Sequence, residues 1–495
     1  MFWMTIDREK TIPLIRQIYS ELRTKILSGE LTAGFKLPST RKVASELHLS
    51  RNVVLEAYEQ LLAEGYIESR RGSGYFIASG IYLEQHARMT EAGAGLPKVD
   101  QHFNEAESQR IDFRSGVPAL EHFPRSLWGK TVQRVCQEAP LSVFGYNRPE
   151  GRTELRTILS RYLYRTRGVQ CEPEQIIMTS GATQALTLIA NVLLRPDSHV
   201  VIEDPITHDI QSIFTRTGAR LLPVPTDAYG MDMEQLPSLS AHRPSFVFVT
   251  PSHQFPLGGT MPVQRRLQLI RYAREADCYI VEDDYDSEFR YETAPISSIQ
   301  GLASERVIYI GSFSKILSPG LRQGYLVLPK ALVASYQQAK WLSDLHAPSI
   351  DQLALGVFIE EGHLEKYVNR VKKLYKKRRQ CLIDALQLAF GDGIRIWGEA
   401  AGLHIVAAFP TVRFTPDVLA ALEQAGVRVY PVEEHAIVKG NHTDKIILGY
   451  GNTTKEQIVE GVMRIKAVLV NIPQERTREG RSMNDYACSS ILTID

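Results

Sequence analysis

Ser312-Phe313-Ser314-Lys315 follows a short apolar run at residues 307–310, and a similar run at residues 279–282 leads into Asp283, Asp284 and Tyr285. The lysine offers an amine that can condense with a carbonyl. Asp283 can keep a ring nitrogen protonated, and Tyr285 can donate to a ring oxygen. Upstream, Ser180-Gly181-Ala182-Thr183 opens a helical pattern, where backbone amides at a helix N-terminus receive an anion at little cost. Ser312 and Arg322 extend that cradle, the arginine through a charge-assisted hydrogen bond. Each residue alone has an ordinary reading, since a lysine after a strand is usually a solvated charge. Their joint order, glycine loop, then acid-x-tyrosine, then serine-x-x-lysine, is what carries chemistry.

Pyridoxal phosphate needs an amine, an acid at its pyridine nitrogen, a phosphate cradle and a partner for its ring hydroxyl. Lys315, Asp283, Gly181-Ala182-Thr183 with Ser312 and Arg322, and Tyr285 meet these four needs in turn.

The elements around these residues alternate. Strand-like runs at 175–179, 199–202, 246–250, 279–282 and 307–310 are interleaved with helical patterns at 182–194 and 263–276. That rhythm predicts an α/β body with a mainly parallel sheet and helices on both faces, whose strand ends carry the ligand. A smaller C-terminal part from about residue 347 carries a long basic helix at 363–389 and strands at 403–408 and 445–448.

The N-terminal stretch has another periodicity. Ile15, Ile18, Leu22 and Ile26 recur at helical spacing before Gly29, Ser39 caps a short helix burying Val43, Ala44 and Leu47, and Ser50 caps another with Val54, Ala57, Tyr58, Leu61 and Leu62 inside. Two strand-like runs at 66–69 and 75–78 flank Arg70-Arg71-Gly72-Ser73-Gly74, which predicts a wing. A small α+β winged helix-turn-helix results. Its recognition helix would present Arg51 and Asn52 to base edges or phosphates, Arg41 and Lys42 would take phosphate at the preceding helix start, and Arg70, Arg71 and Gly72 would form the wing contact. Glu46, Glu56, Glu59 and Glu64 dilute the basic surface, so solvated charge on a small helical domain is the plain alternative.

The formal net charge of +1 gives no global pull toward nucleic acid, so any duplex contact has to be local. Cys136, Cys171, Cys278, Cys381 and Cys488 are odd in number and scattered, which argues against a disulfide framework or a structural zinc and fits a reducing cytoplasm. No apolar run approaches the roughly 20 residues that span a bilayer, so neither export nor a membrane span is expected. We divide the chain into a DNA-binding domain at 12–78, a linker at 79–110, an effector body at 111–470 and a tail at 474–495.

Leu37-Pro38-Ser39-Thr40-Arg41, Leu49-Ser50-Arg51-Asn52 and residues 58–66 closely resemble the GntR winged helix, and residues 111–470 resemble fold-type I aminotransferases. Pro251-Ser252-His253-Gln254-Phe255-Pro256 and the run from Glu282 to Phe289 make the whole similar to the MocR/GabR subfamily of GntR regulators. The resemblance implies a homodimer reading double-stranded DNA with repeated half-sites. It also implies a tyrosine, here Tyr146, that reaches the partner's cofactor phosphate. Two positions differ from the family: Ile206-Thr207-His208-Asp209 stands where a glycine and a stacking aromatic are usual, and Asn452 stands where an arginine clamps a substrate carboxylate. We therefore expect a regulator that senses an amino acid or related amine through a Schiff base at Lys315. A working aminotransferase with an appended DNA-binding domain is the alternative, and a binding protein with an empty site is a third.

Overall fold

A computed structural model describes residues 6–8, 12–80, 110–292 and 296–471. The chain divides into two compact units, residues 1–103 and 104–495. Of the expected linker, all but residues 79, 80 and 110 lies outside the described residues, as do the tail at 474–495 and Cys488. The other four cysteines are free. Among the described residues no helix is long and apolar enough to cross a membrane.

In the first unit the helices Leu14–Leu27, Thr40–Glu46 and Arg51–Ala63 are followed by an antiparallel hairpin, Ile67–Arg70 with Gly74–Ile77. Ser39 Oγ accepts from Lys42 N–H at 3.3 Å and Ser50 Oγ from Val53 N–H at 3.4 Å, so both short helices begin on side-chain caps. Ile18, Leu22, Ile26, Val43, Val54, Tyr58, Leu61, Ile67 and Ile77 close one core. Leu47 and Leu62, expected inside, only pack partly buried at its edge. Arg70 is the last residue of a strand rather than part of the turn, because its register partner is Gly74 and its guanidinium lies 4.5 Å over the Phe76 ring.

The second unit is built on an eight-stranded sheet in the order Ile176–Thr179, Gly324–Val327, Val307–Ser312, Tyr279–Asp284, Pro244–Val249, His199–Asp204, Arg220–Asp227, Gly230–Met231. The inner pairings are parallel, while Gly324–Val327 and the edge strand Gly230–Met231 run antiparallel to their neighbours. Side chains alternate between faces along each strand. Phe246 and Phe248 accordingly join Leu186 and Ile189 of the helix Ala182–Leu193, while Val247 and Val249 join Leu269, Ile270 and Ala273 of the helix Val263–Ala276. A buried aliphatic side chain contributes roughly 1.5 to 3 kcal/mol, so these two cores fix which strand ends lie side by side. A four-stranded antiparallel sheet, Arg395–Trp397, His404–Ala408, Lys445–Gly449 and Tyr430–Pro431, forms the smaller C-terminal part, and the helix His363–Phe390 packs along Lys455–Val470.

Candidate cofactor site and DNA-facing surface

Three sheet elements converge on one end of the large sheet. Lys315 leaves the strand Val307–Ser312, whose Ile310 is in register with Asp283 on the parallel strand Tyr279–Asp284. Asp283 lies inside that strand, one residue before its end, because the pairing continues through Gly311 and Asp284. Burial, with Asp284 and Asp286 adding repulsion, pushes its carboxyl up to about 7, and its Oδ1 is buried with no hydrogen-bond partner. Such an orphaned acceptor calls for a donor, which a protonated ring nitrogen would supply.

Burial holds the Lys315 amine below the ordinary lysine range against the pull of Asp286 and Asp283, with Arg114 and Arg322 lowering it further. Gly116, at φ +68, passes so close that a Cβ there would sit 2.7 Å from Lys315 Nζ. Only glycine fits that approach.

Arg322 Nη2 donates to the Ser180 carbonyl at 2.6 Å, and a Cβ on Gly181 would fall 2.7 Å from the same nitrogen. Gly181, at φ +87, begins the helix Ala182–Leu193, which has no side-chain cap. A guanidinium over an uncapped helix N-terminus, with the amides of Ala182 and Thr183 in its first turn, is an arrangement that receives a phosphate. Ser312 Oγ accepts from Ser314 N–H at 3.2 Å beside it. The residues present thus fit pyridoxal phosphate on donor chemistry and on the space left by two glycines.

Tyr285 donates to the His253 carbonyl at 3.0 Å and lies 3.1 Å from His253 Nδ1, which is also 3.1 Å from an Asp286 oxygen. Burial raises the Tyr285 phenol well above its usual value. Tyr146 is elsewhere on the surface, 85 % exposed and edge-on to His346 with ring centroids 6.2 Å apart.

In the first unit Arg41, Lys42, Arg51, Asn52, Arg70, Arg71 and Gly72 are all exposed, and the Arg51 Nε reaches Thr40 Oγ1 at 3.5 Å. Gly72 turns the wing at φ +77. Lys36, which the sequence reading passed over, bridges to Phe76 and lies 5.8 Å over its ring, adding a cation to the wing side.

The family model for bacterial regulatory proteins of the gntR family matches residues 14–77, and the model for aminotransferase class I and II matches residues 109–464. An uncharacterized HTH-type transcriptional regulator of Bacillus subtilis, YdeL, is 35 % identical over 467 residues, covering 93 % of this chain and 98 % of its own. The probable rhizopine catabolism regulatory protein MocR of Rhizobium meliloti is 33 % identical over 478 residues, covering 94 % and 96 %. The chain belongs to the MocR-type GntR regulators. Among solved structures, the α-aminoadipate aminotransferase LysN of Thermus thermophilus, complexed with N-(5'-phosphopyridoxyl)-L-leucine, superposes with a TM-score of 0.68 at 29 % identity, covering 74 % of this chain and 93 % of its own.

This GntR regulator therefore carries a pyridoxal-phosphate-type aminotransferase body behind a winged helix. At the positions that differ from the family, Thr207 is spent as the residue preceding the helix His208–Thr215, while Phe255 stands edge-on to Tyr285 at 6.4 Å between ring centroids. Asn452 offers no charge, and its buried Oδ1 has no partner. The neighbouring guanidinium of Arg378 is committed to the Gly451 carbonyl at 2.6 Å and to Glu121 at 2.7 Å. Arg114, exposed and felt electrostatically by Lys315, is a cation that motif reading missed. His253 and Asp286 are site residues that motif spacing alone does not bring together. Their signal was a histidine and an acid inside two characteristic runs, and contact between the runs is visible only after folding.

Proposed function

We propose that this protein is a pyridoxal-phosphate-dependent transcriptional regulator that binds an amino acid or related amine at Lys315 and converts occupancy into a change in DNA affinity. The observation that carries this is a half-buried lysine with a lowered pKa, Lys315, near a buried carboxyl with an unpartnered oxygen, Asp283, in a chain whose other unit exposes Arg41, Lys42, Arg51 and Asn52 on capped helices. When bound, the cofactor supplies an aldehyde that condenses reversibly with amines. Lys315 would hold it, Asp283 would keep its ring nitrogen protonated, and Gly181, Ala182, Thr183, Ser312 and Arg322 would seat its phosphate. Tyr285 would face its ring oxygen, with its own proton resting on the His253 carbonyl until a better acceptor arrives.

A homodimer binding double-stranded DNA at repeated half-sites belongs to the same proposal. Leu141, Phe144 and Tyr146 are 88 %, 57 % and 85 % exposed, and Leu342 is 78 % exposed on the helix Val333–Asp344 that precedes His346. So much exposed apolar surface around Tyr146 supports a second copy packing there.

Sensing rather than turnover is favoured by Asn452, since orienting a substrate carboxylate is worth several kcal/mol of barrier. Arg114 and the likeness to the aminotransferase LysN stand on the side of a working aminotransferase. The test is spectroscopic: the purified protein should absorb in the visible, an effector should change that spectrum and leave it stable, and Lys315→Ala should remove the borohydride-reducible link. A reduced cofactor recovered on any other lysine would overturn the assignment.

A further inference from the structure

A cleft of about 560 Å³ opens beside the C-terminal end of the helix Thr153–Arg167, and none of Lys315, Asp283, Tyr285 or Arg322 lines it. Three of the five charged residues that line it are already paired, Arg165 with Glu365, and Arg167 with Asp284 beyond the cleft at 2.7 Å. Two are not. Glu288 and Lys372 both line the cleft, and among the described residues neither has an ion-pair partner. Arg167 is the nearby cation for Glu288, but its guanidinium is already held by Asp284, Ser252 and the Ile296 carbonyl. Burial and then Asp284 push the Glu288 carboxyl up, while burial, Arg290 and Lys376 hold the Lys372 ammonium below its usual value. A carboxylate and an ammonium without an ion-pair partner of their own line one open cleft, with Asn369, Ser287 and Ser297 as neutral polar groups on its walls.

We propose that this cleft is a second small-molecule site, which holds a zwitterionic amino acid without a covalent bond, its ammonium on Glu288 and its carboxylate on Lys372. A molecule with both charges relieves both residues at once, whereas a simple amine or a simple acid leaves one of them uncompensated. The site has a physical route to the large sheet. Glu288 follows Asp283, Asp284, Tyr285 and Asp286 in the chain, and Arg167 on the cleft wall holds Asp284, the strand neighbour of Asp283. A ligand here would touch from behind the segment that carries Asp283. The inference goes beyond the reading of Lys315 and stands without it.

The experiment is calorimetry on the full-length protein treated with pyridoxal phosphate and then borohydride, so that Lys315 is capped and the first site cannot exchange. Glycine, β-alanine and γ-aminobutyrate serve as zwitterions of increasing charge separation, with butylamine and butyrate as single-charge probes. At least one zwitterion is expected to bind at one equivalent per chain, both single-charge probes at least tenfold more weakly. Glu288→Gln and Lys372→Met should each weaken the zwitterion at least tenfold, with thermal melting unchanged for the partly exposed Lys372→Met protein. No heat with any zwitterion, equal binding of butylamine, or binding indifferent to both substitutions would overturn the proposal. If borohydride leaves no cofactor on the protein, the Lys315 reading fails, and the same titration still decides the cleft.

Discussion

Asp283 is the residue on which the cofactor reading turns, and its buried carboxyl makes a prediction about pH. Its folded pKa is raised to about 7, above the unfolded carboxylate value, so the protonated form favours folding. The sign follows from linkage: the apoprotein is most favoured below about pH 4 as far as this group is concerned, and loses that contribution as pH rises toward about 7. A cation placed beside Asp283 reverses the loss. The melting temperature gap between cofactor-loaded and apo protein should therefore widen between pH 5.5 and 8, and Asp283→Asn should narrow it by stabilising the apo form at pH 8. A gap independent of pH in the wild type would remove Asp283 from the ring nitrogen. On the other unit, Arg41→Ala should weaken all duplexes alike and lower the salt slope by about one unit. Arg51→Ala should also cost roughly 1 to 3 kcal/mol of base discrimination if it pairs with guanine. Equal losses on specific and random DNA would make Arg51 a phosphate ligand.

At the scale of elements, the proposed phosphate cradle depends on a helix start whose positive φ favours glycine. Gly181→Ala would drive a Cβ to 2.7 Å from the Arg322 guanidinium at a φ of +87. Cofactor affinity, read by titrating visible absorbance, should fall at least tenfold, about 1.4 kcal/mol, and an unchanged affinity would place the phosphate elsewhere. Periodicity made most of this framework legible. The parallel strands carrying Asp283 and Lys315, the capped helices and the wing all follow local rules of burial and capping. Three strands of the large sheet were not legible: Arg220–Asp227 contains Pro223 and Pro225, which weigh against a strand, Gly230–Met231 has only two residues, and Gly324–Val327 is four residues long and runs against its neighbours. Long-range juxtapositions were equally hidden. His253 meets Asp286 across 33 positions and Gly116 meets Lys315 across the fold, so neither pairing leaves a trace in spacing.

At the scale of the whole molecule, the chain joins two units that the sequence already separated by type, one built around capped helices and one around a parallel sheet. Regulation requires that occupancy at Lys315 bias the DNA-binding unit by a coupling free energy, typically about 1 to 3 kcal/mol. Catalysis requires instead that the bound amine be oriented and released as product, for which Asn452 supplies no charge. The most direct measurement is fluorescence anisotropy of a duplex from upstream of the protein's own gene. Cofactor-loaded protein is titrated onto it with and without an amino acid that changes the visible spectrum. A sensor should show a stable spectral change accompanied by a shift in DNA affinity of about 5- to 150-fold. A spectral change that leaves DNA affinity untouched, with steady conversion of the amino acid at about 1 per second or faster, would contradict a sensor role.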